Sequence, residues 1–258
     1  MGEQENTRTR SGKPYAMAIF ISVLLIAAIV FFAIRTYRYV VLNYILPLVI
    51  CSCCLVALNL ILILTKKPVL SKVANPVVAT LLGISILISV TSVPFTSSSK
   101  KHYTKQMDYL LKERYTTQFF PEKIPDDAAD YYFEFSPALF SDNSYLILEF
   151  RCHGRTLADF LHMAQKTTIL SPMTLEEARE PELDEKRKAE LFEAFGATED
   201  ESEHFSLQIH YPESIEKHPN SIVFVMSAGT DIHKPRTEVI LIDIQKGWIC
   251  FCRTDGYV

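Results

Sequence analysis

By residue type, Cys152, Cys250 and Cys252 are the strongest candidates for chemistry outside the apolar segments of this chain. Cys250 and Cys252 fall on one face of a strand-like run at 248–253, and Cys152 closes another at 145–152. If those two strands are neighbours, the three thiols approach one another. A disulfide, a soft-metal site or three buried apolar thiols are then the alternatives. Cys152 and His153 are adjacent, and neighbours in a strand point to opposite faces, so a nucleophile–base pair would need a partner from elsewhere. The C-x-C spacing lacks the second ligand pair of a zinc ribbon. Cys51, Cys53 and Cys54 sit in an apolar run, which leaves an odd three in the rest of the chain and no disulfide framework.

Other chemistry is thinly represented. The seven histidines (His102, His153, His162, His204, His210, His218 and His233) are scattered without an H-E-x-x-H or H-x-H pattern. His204 and His210 share a strand face but lie about 20 Å apart at the rise of a strand, too far for one metal, and read as solvent-facing. Ser227 precedes a turn with Asp231, yet G-x-S-x-G is absent. Only five glycines follow residue 95, none in a G-x-G pattern, which weakens a phosphate-loop reading. The acidic groups at 126–130 and 199–203 do not follow a calcium-loop spacing and read as solvated loops. The sequence therefore assigns no catalytic residue, metal or cofactor. Its one candidate site is the thiol cluster.

The elements that would position these groups divide sharply. Residues 1–95 hold eight Lys/Arg and two acids; residues 96–258 hold eighteen and twenty-eight, a net of +6 against −10. An acidic domain disfavours nucleic acid as a partner. Three uncharged apolar runs, at about 15–34, 39–64 and 76–95, each match the ~20 residues that span a bilayer. The intervening segments, 35–38 and 65–75, are too short to carry covering structure, so the expected region is three transmembrane helices after a cytoplasmic tail at 1–14. The first run exceeds the ~7–15 residues of a signal-peptide core and has no small-x-small cleavage site. Six Lys/Arg in the tail and second loop (Arg8, Arg10, Lys13, Lys66, Lys67, Lys72) face two in the first loop (Arg35, Arg38), which favours the N-terminus inside. Three spans then place the C-terminal domain outside. Lys100, Lys101 and Lys105 oppose that count, and the reversed topology, with a cytosolic domain, stays open. No ionisable residue lies mid-span, so a stand-alone transporter is disfavoured.

After a juxtamembrane linker and amphipathic helix within 96–118, with Met107, Leu110, Leu111 and Tyr115 on one face, the pattern predicts a soluble α+β domain over 119–258. Strands are expected at 131–136, 145–152, 205–211, 221–228, 237–244 and 248–253, with helices opening at the capping-box pairs Thr156/Asp159 and Thr174/Glu177. The order is β-β-α-α-β-β-β-β, and strands in consecutive runs argue for a mostly antiparallel sheet. Gln245-Lys246-Gly247 reads as a three-residue hairpin loop.

The segment Phe120-Pro121-x-x-Ile124-Pro125-x-x-Ala128, a strap stiffened by two prolines and followed by a Tyr/Phe-rich strand, covers part of 119–152. It resembles uncharacterised membrane-anchored proteins of Gram-positive gut bacteria. The resemblance implies a cell-membrane protein with an extracytoplasmic module and carries no activity. The expected function is a non-catalytic binding or accessory module whose partners are the lipid bilayer and a membrane or envelope protein. The alternative is a membrane-anchored hydrolase or thiol-dependent enzyme.

Overall fold

The computed structural model describes residues 13–41, 44–65, 76–81, 83–84, 87, 94–112, 115, 118–138, 143–180, 183–195, 207–229 and 236–256. The chain divides into two compact units, Met1–Val93 and Pro94–Val258.

In the first unit, α1 (Lys13–Tyr39) and α2 (Ile45–Thr65) are built from residues apolar on nearly every side. Ile21, Leu25 and Phe32 of α1, with Tyr44 and with Cys51 and Leu58 of α2, are buried, while Ile19, Phe20, Val23, Leu46, Val49 and Val56 are exposed. An apolar exterior of this kind suits lipid as the solvent. The segment Ile19–Tyr39, 21 residues with a mean hydropathy of 2.6, is long and apolar enough to cross a membrane; near an N-terminus, a signal sequence has the same character. Among the described residues it alone meets that length, Ile45–Leu60 being a shorter apolar helix. Three membrane-crossing helices are therefore not shown among the described residues. Residues 76–81, 83–84 and 87 of the third run are helical, and 82, 85–86 and 88–93 lie outside the described residues.

Residues 35–38, expected as a linker, instead continue α1 to Tyr39. Arg35 is accommodated because its Nη1 donates to Tyr44 Oη at 2.8 Å and its guanidinium lies over the Phe31 and Tyr44 rings at 5.3 and 5.6 Å. Arg38 in the last turn complements the helix dipole.

The second unit is a seven-stranded sheet: β1 (Phe95–Ser97), β2 (Ala129–Ser136), β3 (Ser144–Arg151), β4 (Met173–Thr174), β5 (Ile222–Gly229), β6 (Arg236–Asp243) and β7 (Trp248–Asp255). The spatial order is β1-β2-β3-β7-β6-β5-β4, and every pairing is antiparallel. The last strand thus enters the middle of the sheet, with Phe251 opposite Leu148 on one side and Ile240 on the other. Phe133, Leu148, Phe150, Ile240 and Phe251 line one face. It is covered by α3 (Tyr103–Lys112), by α4 (Gly154–Thr167) and by the 119–128 strap, through ring contacts of Tyr103 with Phe133 and of Phe160 and Phe120 with Phe251. The other face buries Ile147, Val223, Val225, Val239, Leu241, Cys250 and Cys252 under Leu170, Met173, Leu175, Leu191, Ile209 and Ile215. Cover on both sides explains the unbroken apolar runs 239–242 in β6 and 248–252 in β7.

The α+β class and antiparallel sheet agree with the sequence pattern, and several details differ. Phe95, expected at the end of the third span, is buried in β1 opposite Phe135. Of the strand expected at 205–211, residues 205–206 lie outside the described residues and 207–211 join no ladder. Ile209 points inward across the sheet face and His210 N–H donates to Thr254 Oγ1 at 2.9 Å, so an extended segment layered on a sheet reproduces a strand's alternation. The helix at 103–112 buries Tyr103, Gln106, Tyr109 and Leu110, leaving Leu111 exposed. Tyr103 Oη also donates to Pro121 O at 2.6 Å, which ties this helix to the strap. α4 begins at Gly154, before Thr156, and His153 at its N-cap makes no side-chain cap bond. The hairpin closes on the pair Asp243/Trp248, leaving four residues, 244–247, in its loop.

The Thr174/Glu177 capping box forms as expected and opens α5 (Leu175–Arg179) beside the edge strand β4. Thr174→Ala should cost about 1 kcal/mol, measured as a shift in denaturation midpoint. Carboxylates around it share one electrostatic sense. The Thr174 backbone N–H and hydroxyl, then Arg187, hold Glu177 below its usual range. The Arg187 backbone N–H does so for Asp184, and the Ser171 hydroxyl and N–H for Glu190 in α6 (Glu185–Phe195). A carboxylate whose folded pKa is depressed adds stability above its unfolded pKa of about 4, and that stability is lost as pH falls through the folded value. Denaturant midpoints measured from pH 7 downward should hold until about pH 4–5 and then fall, and Ser171→Ala should flatten part of the fall.

Candidate functional site

A cleft of about 540 Å³ opens where the start of β2, the end of β3, the 3₁₀ turn Glu213–Lys217 and the β6–β7 hairpin converge. Asp130, Glu149, Arg151, Ser214, Lys217, His218, Lys246 and Trp248 line it. Alternation along β3 puts Glu149 and Arg151 on the same face, and the β3–β7 register sets Arg151 opposite Trp248. An irregularity in β2 between Ala129 and Tyr132, with Asp130 at φ +49°, accompanies the ion pair of Asp130 with Arg151. Local bulges commonly re-aim side chains in this way.

One buried carboxylate, Glu149, is part of this lining, and a second, Asp243, contacts the lining residue His218. Glu149, 6 % exposed, accepts from Trp248 Nε1 at 3.1 Å and from the Ser214 hydroxyl. Asp243, 1 % exposed, accepts the Lys246 backbone N–H at 3.1 Å and lies 3.1 Å from His218 Nδ1. A carboxylate only accepts, so Nδ1 carries the proton and Nε2 is the free nitrogen of the ring. The His218 ring stacks on Trp248 at 4.2 Å and 6°, and the Ser221 hydroxyl donates to His218 O at 2.8 Å. Both carboxylates thus have two donors each, the condition for burying a charge. The rim is cationic: Arg151, Lys217 and Lys246, the last donating its ammonium to Lys217 O. The hairpin that carries Lys246 is pinned by Cys152 N–H to Gly247 O at 2.9 Å.

The thiols separate into a pair and a single residue. Cys250 and Cys252 are buried with their sulfurs 3.3 Å apart, on the face that includes Ile147 and Val239. Burial, then the neighbouring Cys252, pushes the Cys250 thiol well up. Cys152 continues the alternation of Leu148 and Phe150 on the opposite face, where burial, then the neighbouring Asp127, pushes its thiol up to about 11. The expected three-thiol cluster therefore does not assemble. A raised thiol pKa opposes a thiolate nucleophile. Among the described residues no group of three or more His, Cys, Asp or Glu is arranged to hold a metal ion.

His218 is buried; of the two histidines expected to face solvent, His210 is half-buried and stacked on Tyr145 at 3.6 Å, and His204 lies outside the described residues. Burial lowers the His210 pKa. Ser227 lies within β5 opposite Glu238, not at a turn; Asp231 is outside the described residues. The cleft itself was not singled out from sequence. Its one local signal was Glu149 and Arg151 on a strand face shared with Ile147. Comparison with family models, with curated proteins and with solved structures finds no match to this chain.

Proposed function

We propose that this chain is a multi-pass protein of a bacterial cell membrane, with its N-terminus cytoplasmic and its C-terminal α+β domain outside. On this reading the domain is a non-catalytic binding or accessory module, and the cleft is its ligand site. The observation that carries the membrane assignment is the apolar exterior of α1 and α2. The third apolar run, 76–95, supplies the remaining span, shortened at its end by the entry of Phe95 into β1. Either one or three crossings from an inside N-terminus leads to an outside domain, whereas two would not.

Lys100, which counted against this orientation, donates its ammonium to Asp126 O at 2.7 Å and Ala128 O at 3.1 Å. It belongs to the folded domain, and long domains translocate largely regardless of charge. The binding role is supported by the internal contacts of Glu149 with Ser214 and Trp248 and of the lining residue His218 with Asp243. Fixed internal partners hold the site's shape while the rim is left to a ligand. Alkaline carbonate extraction of membranes tests the assignment: the full chain should stay with the lipid, and its release into the supernatant would overturn a transmembrane reading.

A further inference from the structure

We propose that the cleft takes a phosphate-type anion, either free phosphate or the headgroup of an anionic lipid, an inference that rests on the cleft being the domain's ligand site. Acids and donors around it are unequally committed. Glu149 is engaged by Ser214 and Trp248, Asp243 by His218 and Lys246, and Asp130 by Arg151. The donors have capacity in hand. Arg151 has five N–H groups and is half-exposed. Lys246 uses one ammonium hydrogen on Lys217 O. The Lys217 ammonium has no partner among the described residues.

What faces a ligand is therefore a set of N–H donors from Arg151, Lys217 and Lys246 around Glu149, whose Oε2 is held by Ser214 and Trp248. Three cations converging on one cleft also run against the −10 net charge of residues 96–258. A tetrahedral oxyanion, with several acceptor oxygens, matches converging guanidinium and ammonium groups. A neutral sugar would want exposed aromatic faces, and here Trp248 is stacked on His218 and Tyr145 on His210.

Trp248 is the only tryptophan in the chain, so emission from the intact protein reports on this cleft. The full chain, reconstituted in phosphatidylcholine nanodiscs, is titrated with inorganic phosphate while Trp248 emission and the phosphorus-31 line width of the added phosphate are followed. A saturable response is expected that sodium chloride of equal ionic strength does not reproduce. Lys217→Ala with Lys246→Ala removes two charge-assisted donors and should weaken the apparent affinity about tenfold or more. Lys166→Ala, at an exposed position of α4, should leave it unchanged. If the double variant does not melt like the parent, Lys217→Ala alone is used.

Adding phosphatidic acid to the nanodiscs separates the two sources. Loss of the free-phosphate response through competition identifies the headgroup, and an undiminished response identifies free phosphate. A response equal to that of chloride, or one unchanged by the lysine substitutions, overturns the proposal. Either result leaves the carbonate-extraction test of membrane residence standing by itself.

Discussion

Phe251→Ala should destabilise the C-terminal domain by about 3–5 kcal/mol, read as a shift of the denaturant midpoint of the full chain with Trp248 emission as the probe. Phe251 is fully buried in the central strand β7, with Phe150, Phe120 and Phe160 at ring-centroid distances of 6.0, 5.6 and 5.7 Å. Those three rings come from β3, the strap and α4, so truncation removes the contact they share. Close-packed rings on three separate elements cannot all move inward, and the cavity persists. Leu111→Ala, at a 52 % exposed position of α3, should change stability by less than about 0.5 kcal/mol. A Phe251→Ala effect no larger than that of Leu111→Ala would contradict the packing described for this face.

Gly247→Ala should be nearly as damaging, by about 2–5 kcal/mol, and should also blunt the phosphate response. Gly247 has φ +63°, which a side chain disfavours, and an added Cβ would sit 2.4 Å from Cys152 O and 2.6 Å from His153 Nδ1. The first obstacle is backbone and cannot swing aside. Relief requires the loop to move away from the end of β3, breaking the Cys152 N–H to Gly247 O bond. Lys246 and Trp248 flank Gly247 and both line the cleft, so one substitution acts on stability and on the site. Denaturation and phosphate titration of the same variant check the two effects. Parent-like values in both would contradict the geometry given for the hairpin.

Much of this fold is legible in the residues, because burial leaves a periodic trace. Alternation from Tyr145 to Cys152 gives both faces of β3, and the apolar run near Ser221–Ala228 gives a strand covered on two sides. The Thr174/Glu177 box survives because its hydrogen bonds are local. The misreadings also have physical causes. Residues 207–211 alternate since one side of them meets a core, and the pattern is blind to whether neighbours lie beside the segment or beneath it. On α3 the buried residues include Gln106 and two tyrosines, types that a hydrophobic stripe overlooks. β1 and β4, of three and two residues, are too short to carry a period.

The cleft is hidden for a further reason. Its groups are assembled by topology: Glu149 and Trp248, in hydrogen-bond contact, are 99 positions apart, and His218 and Asp243 are 25 apart. Only the insertion of β7 between β3 and β6 brings them together. The thiols fail in the complementary way. Placing Cys152 with Cys250 and Cys252 needed the two strands to be adjacent, and they are, but Cys152 falls on the other side of the sheet.

Protease treatment of intact cells expressing the full chain tests the central claim most directly, since the domain's location fixes what its cleft can meet. The strap, outside any helix or strand, offers the exposed Lys123 for cleavage once the protease has access. Loss of the C-terminal domain from intact cells, with a cytoplasmic marker untouched, is the predicted result. Protection of the domain until the cells are lysed would contradict it and place the acidic domain in the cytosol.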